Sequence, residues 1–515
     1  MKRKSHTTFA AIHLGSEVIS MQITEYRNID KVKIIERCNR RIRLGEATFK
    51  NKIIPFSLAK EICDILEGFK ALMEEYGVEE YTLQATTAVR EARNQIFLLD
   101  QIYSRTGLIV DVVDMPQEIY TKYVAIRNTL KAEKISSDRD GMLMMDISSG
   151  GLGITFVQND KIRYQENFHV GIIRIKEGFA RNRRESMHFN KALTEFLSST
   201  IGPVRRELQQ DSVGYLVLSG TETELLLKIL GRREDQLVHR IKASEFRGFF
   251  EKMRQMNMPQ LIQTYKLQET AAELVLPTVL LYEQLLDLIP AKEIIITADR
   301  FIDGIQLLHI GRKNNPELCD EWERELISLF HCIGRRYMYD EAHVNQVERL
   351  ALGIFDKVAK EHGMGERERL LLRGTCILHD IGKYIGMRSH SIYTYQLIRS
   401  TDIIGFSDKD KQIIALAAYY HANRLFDESN AKAPKVPGEQ VAIVAKLAAI
   451  VRLADALDRS YLQKIRDFRI SLKDGVMKLQ AESKMDLALE MWTFDDKAAV
   501  FEEVYGIKPV LERVE

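Results

Sequence analysis

The stretch Met142-Leu-Met-Met-Asp-Ile-Ser-Ser-Gly-Gly-Leu-Gly-Ile-Thr-Phe-Val157 reads as an apolar strand, a Gly/Ser-rich loop and a second apolar strand. The same order occurs earlier, in Phe9-Ala-Ala-Ile-His-Leu-Gly-Ser-Glu-Val-Ile-Ser-Met-Gln-Ile23. Turn residues and a third strand follow each copy, at 31–36 and at 161–164. Two such copies, about a domain apart, predict two similar α/β lobes that face each other.

The loops of the repeat are candidate phosphate sites, because loops of this kind present backbone N–H groups to phosphate oxygens. Two later strands, at 215–221 and 293–298, end in small polar residues, as strands that line the ligand crevice of an open α/β sheet commonly do. The alternative is that the loops are ordinary tight hairpin turns. The candidate phosphate-binding residues in these loops are Gly15, Ser16, Ser148, Ser149, Gly150, Gly151, Gly220 and Thr221.

A second set of chemically informative residues lies in the helical region that follows residue 316. His343 and His421 fall on apolar helical faces, and Asp455 stands where a core residue is expected. A buried carboxylate without a partner is costly, and imidazoles with carboxylates in one helical core suit a divalent metal ion. The alternative is that each histidine is a hydrogen-bonded core residue. The predicted metal ligands are His343, His379, Asp380, His390, His421 and Asp455.

Composition and charge narrow the class of protein. A chain of 515 residues is long enough for several domains, and its net charge of +1 gives no basis for binding nucleic acid or an anionic membrane. Five scattered cysteines without a Cys-x-x-Cys pair predict a reduced, cytoplasmic setting, and no signal peptide or membrane span is recognisable. The predicted domains are two lobes at 1–130 and 131–312, a helical domain at 313–461 and a hairpin–helix tail at 462–515.

The stretch Ala85-Thr-Thr-Ala-Val-Arg-Glu-Ala-Arg-Asn94 closely resembles the Ser/Thr-Ala-x-Arg-x-Ala-x-Asn motif of the exopolyphosphatase/guanosine pentaphosphate phosphatase (Ppx/GppA) family. The resemblance covers nearly the whole chain. It implies a two-lobed actin-like (ASKHA) α/β fold, followed by an all-α domain of HD type and a small α+β tail. It also implies that Arg90 and Arg93 bind phosphate.

The chain departs from this family at several motif positions. His13 and Glu17 replace an aspartate and an asparagine of the first loop, and Gly153 stands where the second loop has a glutamate. The resemblance places Gln117 at the catalytic glutamate, with Glu118 beside it as a substitute base. Gln117 would then only position water. The predicted catalytic residues are Glu118, Gln117 and Asp146. Lys383 and Arg424 are candidates for meeting substrate phosphate in the HD-type domain; the alternative is that both are solvated surface side chains, and for Arg424 this alternative is favoured.

The resemblance implies a phosphoanhydride hydrolase that releases phosphate from inorganic polyphosphate or a guanosine pentaphosphate-type nucleotide in the interlobe cleft. Two alternatives stay open: the HD-type centre is the catalyst, or the actin-like half is a phosphate- or alarmone-sensing module that regulates it. We expect Mg²⁺ with the phosphate substrate, and Mn²⁺, Fe²⁺ or Zn²⁺ in the HD-type domain. The expected assembly is a cytoplasmic homodimer without nucleic acid or membrane partners.

Overall fold

A computed structural model of the chain forms two compact units, Met1–Glu325 and Leu326–Glu515. The predicted division into four domains is finer than this and stays a prediction. The structure describes residues 6–138, 140–148, 151–171, 189–208, 211–220, 223–232, 236–256, 258–288, 290–423, 425–426 and 433–514.

The first unit begins with a five-stranded sheet in the order β3-β2-β1-β4-β5. Strand β1 pairs antiparallel with β2 and parallel with β4. Alternate side chains of β1 point to opposite faces: Ala10, Ile12 and Leu14 enter one apolar core, and Phe9 and Ala11 enter another. The strands are β1 Thr7–Leu14, β2 Val18–Asn28, β3 Lys31–Arg41, β4 Glu80–Ala85 and β5 Asp111–Val112.

The second sheet repeats this topology, in the order β10-β11-β9-β6-β7-β8. Strand β6 pairs antiparallel with β7 and parallel with β9, as β1 does with β2 and β4. The predicted two-lobed α/β fold is therefore confirmed. The strands are β6 Gly141–Ile147, β7 Leu152–Gln158, β8 Lys161–Phe168, β9 Val213–Gly220, β10 Val238–Lys242 and β11 Glu293–Thr297.

Two helices of the first unit, α5 and α11, connect its lobes. Helix α5 follows the first sheet, but its Ile119 packs on Gly153 of the second. Helix α11 follows the second sheet, but its Phe301 and Ile305 share a core with Phe9 of the first. The helices described in this unit are α1 Leu44–Asn51, α2 Phe56–Glu75, α3 Thr87–Arg90, α4 Gln95–Thr106, α5 Met115–Ala132, α6 Phe189–Glu207, α7 Thr223–Ile229, α8 Ala243–Arg254, α9 Met258–Tyr265, α10 Glu269–Leu288 and α11 Phe301–Asn314.

The second unit is mainly helical, as predicted, with a three-stranded sheet in the order β12-β13-β14. The predicted tail begins with a hairpin that turns at Asp474-Gly475, where both residues have positive φ angles. No helix in the described ranges combines the length and apolarity that a bilayer crossing needs. Helix α12 Pro316–Arg336 spans the division between the units, and the later elements are α13 Glu341–Val358, α14 Glu366–Leu378, α15 His390–Ser400, α16 Asp408–Tyr420, α17 Val441–Ala456, β12 Asp467–Lys473, β13 Val476–Glu482, α18 Ala488–Tyr505 and β14 Lys508–Val514, with 3-10 helices at Ile381–Tyr384 and Gly438–Gln440.

Candidate functional site

At the predicted interlobe cleft lies a hydrogen-bonded group centred on Arg90, the last residue of α3. Its Nη1 donates to the Val113 carbonyl at 2.6 Å and lies 3.3 Å from Glu118 Oε2, while Nη2 donates to Thr87 Oγ1 at 3.0 Å. The Thr87 hydroxyl in turn donates to Glu118 Oε2 at 3.2 Å. Arg90 and Glu118 therefore form an ion pair that two further residues hold in position.

Gln117, the neighbour of Glu118, points elsewhere. It occupies the third position of α5, where its Oε1 accepts a 3.1 Å hydrogen bond from the backbone N–H of Asp114 in a capping box. The structure thus uses Gln117 to begin the helix, and Glu118 rather than Gln117 lies beside Arg90. The predicted role of Gln117 in positioning water stays a prediction, although its amide oxygen is engaged in this capping box.

Asp146, at the end of β6, is paired with a lysine that no motif of the sequence marks. Lys122 Nζ donates to Asp146 Oδ1 at 2.8 Å, and Ser219 Oγ donates to the same oxygen at 3.0 Å. Both members of the ion pair are 7% exposed. The one available signal was spacing, because Lys122 follows Glu118 by four residues and must share its helical face.

The predicted phosphate loops use part of their hydrogen-bonding capacity internally. Gly15 N–H donates to the Val18 carbonyl at 3.1 Å, and Ser148 N–H donates to the Gly151 carbonyl at 2.9 Å. Ser16 is buried.

Arg93, predicted with Arg90 to bind phosphate, has an exposed side chain. Gly220 lies at the end of β9 with a positive φ, whereas Ser149, Gly150, Thr221 and Arg424 lie outside the described residues.

The described residues of the cleft do not suit the expected Mg²⁺. Burial, together with the nearby Lys122, lowers the pKa of His13 to about 3, so this imidazole is neutral where the family motif has a carboxylate. Its Nε2 lies 3.2 Å from Thr86 Oγ1. Gly153 has no side chain that could bind a metal ion, and the Asp146 carboxylate already accepts a hydrogen bond from the Lys122 ammonium group. A hard dication prefers oxygen ligands, and this set provides too few.

The second unit brings the six predicted metal ligands together, each from the end or the inner face of a helix. His343 lies in the first turn of α13, where its N–H is capped by Asp340. His379 and Asp380 follow α14, His390 begins α15, His421 follows α16 and Asp455 lies near the end of α17. We call these six residues the histidine–aspartate cluster.

Asp380 is the centre of this cluster. Its Oδ1 lies 3.4 Å from His390 Nε2 and 3.8 Å from His421 Nε2, and its Oδ2 lies 3.4 Å from His379 Nε2. His343 Nε2 lies 3.4 Å from Asp455 Oδ1. Two groups of three with ligand atoms within 4.8 Å of one another therefore share Asp380: one with His343 and His379, the other with His390 and His421.

The imidazoles are oriented by hydrogen bonds from their outer nitrogens. A carbonyl or carboxylate oxygen can only accept, so each Nδ1 must carry a proton, and Nε2 is the nitrogen that faces the cluster. Such partners are typical of metal-binding histidines. The Nδ1 partners are Cys376 O at 2.7 Å for His379, Ala418 O at 2.5 Å for His421, Met387 O at 3.3 Å for His390 and Asp458 Oδ2 at 2.8 Å for His343.

Three inward-facing atoms of the cluster are available to a metal ion. His343 Nε2, His379 Nε2 and Asp380 Oδ1 are buried and have no hydrogen-bond partner within the described parts of the chain. Buried polar atoms are nearly always satisfied, and a mixed set of imidazole and carboxylate donors suits Mn²⁺, Fe²⁺ or Zn²⁺. The residues present therefore fit a divalent metal ion.

The electrostatics of the cluster follow from its aspartates and its burial. Burial lowers the pKa of His343, but Asp455 and Asp458 outweigh it and raise the pKa to about 9. Burial, together with His379, lowers the pKa of His421 to about 4. Burial raises the pKa of Asp455, but His343 and other imidazoles bring it well below the usual range. The centre is thus arranged to keep its carboxylates ionised.

A cavity of about 440 Å³ opens beside the cluster. Lys383 Nζ donates to Asp380 Oδ2 and to the hydroxyl of Tyr461, and this hydroxyl donates to the same Asp380 oxygen at 2.7 Å. The Tyr461 ring stacks on His343 with centroids 3.7 Å apart. Asp458 and Tyr461 were not predicted from the sequence, although both follow Asp455 closely in the chain. The cavity is lined by Tyr337, Met338, Tyr339, Asp340, His343, Val344, Asp380, Lys383, Tyr384 and Tyr461.

Comparison with known families accounts for most of the chain. The model of the Ppx/GppA phosphatase family matches residues 22–304, and that of Ppx/GppA phosphatase domain III matches residues 330–496. The chain belongs to the Ppx/GppA phosphatase family. The prediction that it is a hydrolase is thereby confirmed. The helical region corresponds to domain III of this family, and its description as an HD-type domain stays a prediction.

Curated relatives are distant but cover most of the chain. The guanosine-5'-triphosphate,3'-diphosphate pyrophosphatase of Photobacterium profundum is 21% identical over 87% of this chain and 86% of its own length. That of Vibrio vulnificus is 22% identical over 78% of each chain.

Solved structures with the same fold as the first unit include the Ppx/GppA family member of Aquifex aeolicus. This structure has 20% identity and a TM-score of 0.52, and covers 60% of this chain and 99% of its own. An exopolyphosphatase from Cytophaga hutchinsonii has 18% identity and a TM-score of 0.51, and covers 59% of this chain and 98% of its own. These likenesses confirm the actin-like fold of the Ppx/GppA family.

Proposed function

We propose that the chain is a metal-dependent phosphohydrolase whose chemistry takes place at the histidine–aspartate cluster, and that its interlobe cleft binds polyanionic phosphate. The observation that carries the proposal is the set of buried atoms without hydrogen-bond partners in the described chain, His343 Nε2, His379 Nε2 and Asp380 Oδ1. They converge beside an open cavity. In this proposal the cluster acts as the HD-type centre predicted from the sequence.

The proposed substrate class rests on the family of the chain and on the charged side chains of the interlobe cleft and of the cluster. Relatives are named for guanosine-5'-triphosphate,3'-diphosphate and, among solved structures, as an exopolyphosphatase. We therefore propose a phosphoanhydride of a guanosine pentaphosphate-type nucleotide or of inorganic polyphosphate. The predicted cytoplasmic location and homodimer form part of this proposal.

The residues at the cluster have distinct proposed roles. His343, His379, Asp380 and Asp455 would hold one divalent ion, and Asp380, His390 and His421 would hold a second. A bound divalent ion supplies a lowered pKa for coordinated water and polarises a phosphoryl oxygen. Asp458 keeps the His343 ring in one tautomer, and Tyr461 holds the Asp380 carboxylate. Lys383 places an ammonium group at the cavity, where it can bind substrate phosphate.

A second candidate reaction is hydrolysis in the interlobe cleft with Glu118 as base. The position of its carboxylate, between the Thr87 hydroxyl and the Arg90 guanidinium, favours this candidate. A positioned carboxylate can orient water, and a guanidinium can bind two phosphate oxygens at once. Against it stands the engagement of Asp146 by Lys122, and among the described residues of the cleft no group of three metal ligands is present.

Phosphate release from polyphosphate and from guanosine pentaphosphate, measured with Mn²⁺, separates the two reactions. We expect Asp380→Asn to lower the rate by about 100-fold or more, as loss of a ligand that both groups share should. Glu118→Gln should change it by less than about 3-fold, since removing a true general base costs at least about 100-fold. Asp474→Asn, in the exposed β12–β13 turn, is the matched control. Loss with Glu118→Gln and full activity with Asp380→Asn would reject the cluster as the catalyst.

A further inference from the structure

Besides Arg90, a second cationic side chain at the interlobe cleft belongs to α5. Glu118 and Lys122 lie one helical turn apart on this helix. Glu118 pairs with Arg90 of the first lobe, and Lys122 pairs with Asp146 of the second. Helix α5 thus places one acidic and one basic group between the lobes, and each forms an ion pair with a side chain of opposite charge.

The Lys122 ammonium has unused donor capacity. An ammonium group carries three N–H donors, and in the described part of the chain Asp146 is its one hydrogen-bond acceptor. A charge this deeply buried is stable only when its surroundings satisfy it. Two remaining donors are therefore available to oxygens that are not part of the protein, and phosphate oxygens are suitable acceptors.

The same position is closed to a divalent cation. Asp146 Oδ1 accepts hydrogen bonds from Lys122 and from Ser219, so a dication bound there would displace the ammonium or be repelled by it. His13, which faces the cleft from β1, is neutral and bonded to Thr86. The disagreement between the expected Mg²⁺ and the residues present is explained if lysine has taken over the role of the metal.

We propose that Lys122, held between the lobes by Asp146, binds phosphate oxygens in the interlobe cleft in place of a metal ion, so that the cleft takes up polyanionic phosphate without Mg²⁺. This inference rests on the part of the proposed function that assigns phosphate binding to the cleft. It assigns to α5 the charge that a metal-dependent cleft receives from its cofactor.

Calorimetric titration with inorganic tripolyphosphate tests the inference. The titrations use the full chain carrying Asp380→Asn, so that metal at the histidine–aspartate cluster does not contribute. We expect the same Kd, within about 3-fold, in EDTA and in Mg²⁺. Since Lys122→Met alone would leave the buried Asp146 carboxylate without a counter-charge, the informative variant is the double change Lys122→Met with Asp146→Asn. It should bind at least about 10-fold more weakly in EDTA, whereas Lys122→Arg should retain most of the affinity.

Three other results would overturn the inference, and they have different meanings. Binding that needs Mg²⁺ would reject the role of Lys122 but leave the cleft as a phosphate site. Unchanged affinity of the double variant in EDTA would place the binding elsewhere. Absence of binding under both conditions would reject the cleft itself, and with it that part of the proposed function. Phosphate release at the cluster is measured separately and is independent of all three results.

Discussion

Asp458 accepts a 2.8 Å hydrogen bond from His343 Nδ1 and so leaves Nε2 of the same ring to face Asp455, 3.4 Å away. The Asp458 carboxylate is buried and is also bonded by the backbone and side-chain amides of Gln463. A carboxylate in this position fixes the ring and increases the basicity of its free nitrogen. Asp458 is therefore a positioning residue for the histidine–aspartate cluster.

Replacing Asp458 by Asn should weaken metal binding without removing a ligand. The amide keeps nearly the same shape but loses the charge that favours a strongly basic Nε2. We expect Mn²⁺ affinity, measured by calorimetry, to fall about 10- to 100-fold. Asp474→Asn should leave the affinity unchanged. Equal affinities of Asp458→Asn and wild type would mean that Asp458 contributes only to folding.

Metal should also stabilise the folded protein. A ligand that binds only the folded state raises stability by about 2.7 kcal/mol at a concentration 100 times its Kd. We expect Mn²⁺ to raise the melting temperature of the wild type and EDTA to reverse the increase. His379→Ala, which lacks a buried ligand nitrogen, should show no response to either. If neither Mn²⁺ nor EDTA changes the melting temperature of the wild type, the cluster does not bind Mn²⁺.

Local sequence signals were sufficient to predict the strand–loop–strand repeat and to pick out residues of the histidine–aspartate cluster. The two strand–loop–strand copies have alternation and turn residues within about fifteen positions, and these set β1, β2, β6 and β7. His343, His421 and Asp455 could be recognised because a polar residue on an apolar helical face is conspicuous in the chain itself. Their helices bring them together as expected.

Contacts between distant parts of the chain were not predictable in this way. Asp458 meets His343 across 115 residues, and Lys122 meets Asp146 across the two lobes. Neither contact has a local signature, since tertiary packing alone decides which charged residue is opposite. The role of Gln117 depends on the residue at which α5 begins, and helix boundaries are the least certain part of any sequence-based prediction.

The crossing of α5 and α11 should tolerate no side chain at Gly304. A Cβ at this position would lie 2.1 Å from the Thr121 carbonyl oxygen, so the two helices would have to separate. We expect Gly304→Ala to lower the free energy of unfolding by at least about 1–3 kcal/mol, measured with urea. Gly68→Ala, in α2 with open space around it, should instead raise stability by up to about 1 kcal/mol. A neutral Gly304→Ala would show that the helices can move apart at little cost.

Asp299 should make the stability of the first unit depend on pH. Burial raises the pKa of its carboxyl to about 6 in the folded chain, against 3.8 for the ordinary group. The folded state thus binds the proton more tightly, and stability is lost as pH rises from about 4 through 6, by about 3 kcal/mol in total. Asp299→Asn should recover this amount in urea unfolding at pH 8 but not near pH 4. Asp30→Asn, in the exposed β2–β3 turn, is the control, and a pH-independent gain for Asp299→Asn would contradict the assignment.

Arg90 should supply specific affinity for polyanionic phosphate, whereas Arg93 should not. Arg90 is held by Val113, Thr87 and Glu118, so its guanidinium is already oriented, while the Arg93 side chain is exposed. A hydrogen bond to a charged group contributes about 1.5–3 kcal/mol, so Arg90→Ala should weaken tripolyphosphate binding about 10- to 100-fold. The same loss is expected in Arg90→Ala combined with Glu118→Gln, which avoids leaving a buried carboxylate unpaired. Arg93→Ala should remain within about 3-fold of wild type, because a screened surface charge contributes little. Equal losses for Arg90→Ala and Arg93→Ala would indicate a diffuse attraction between charges in place of a site.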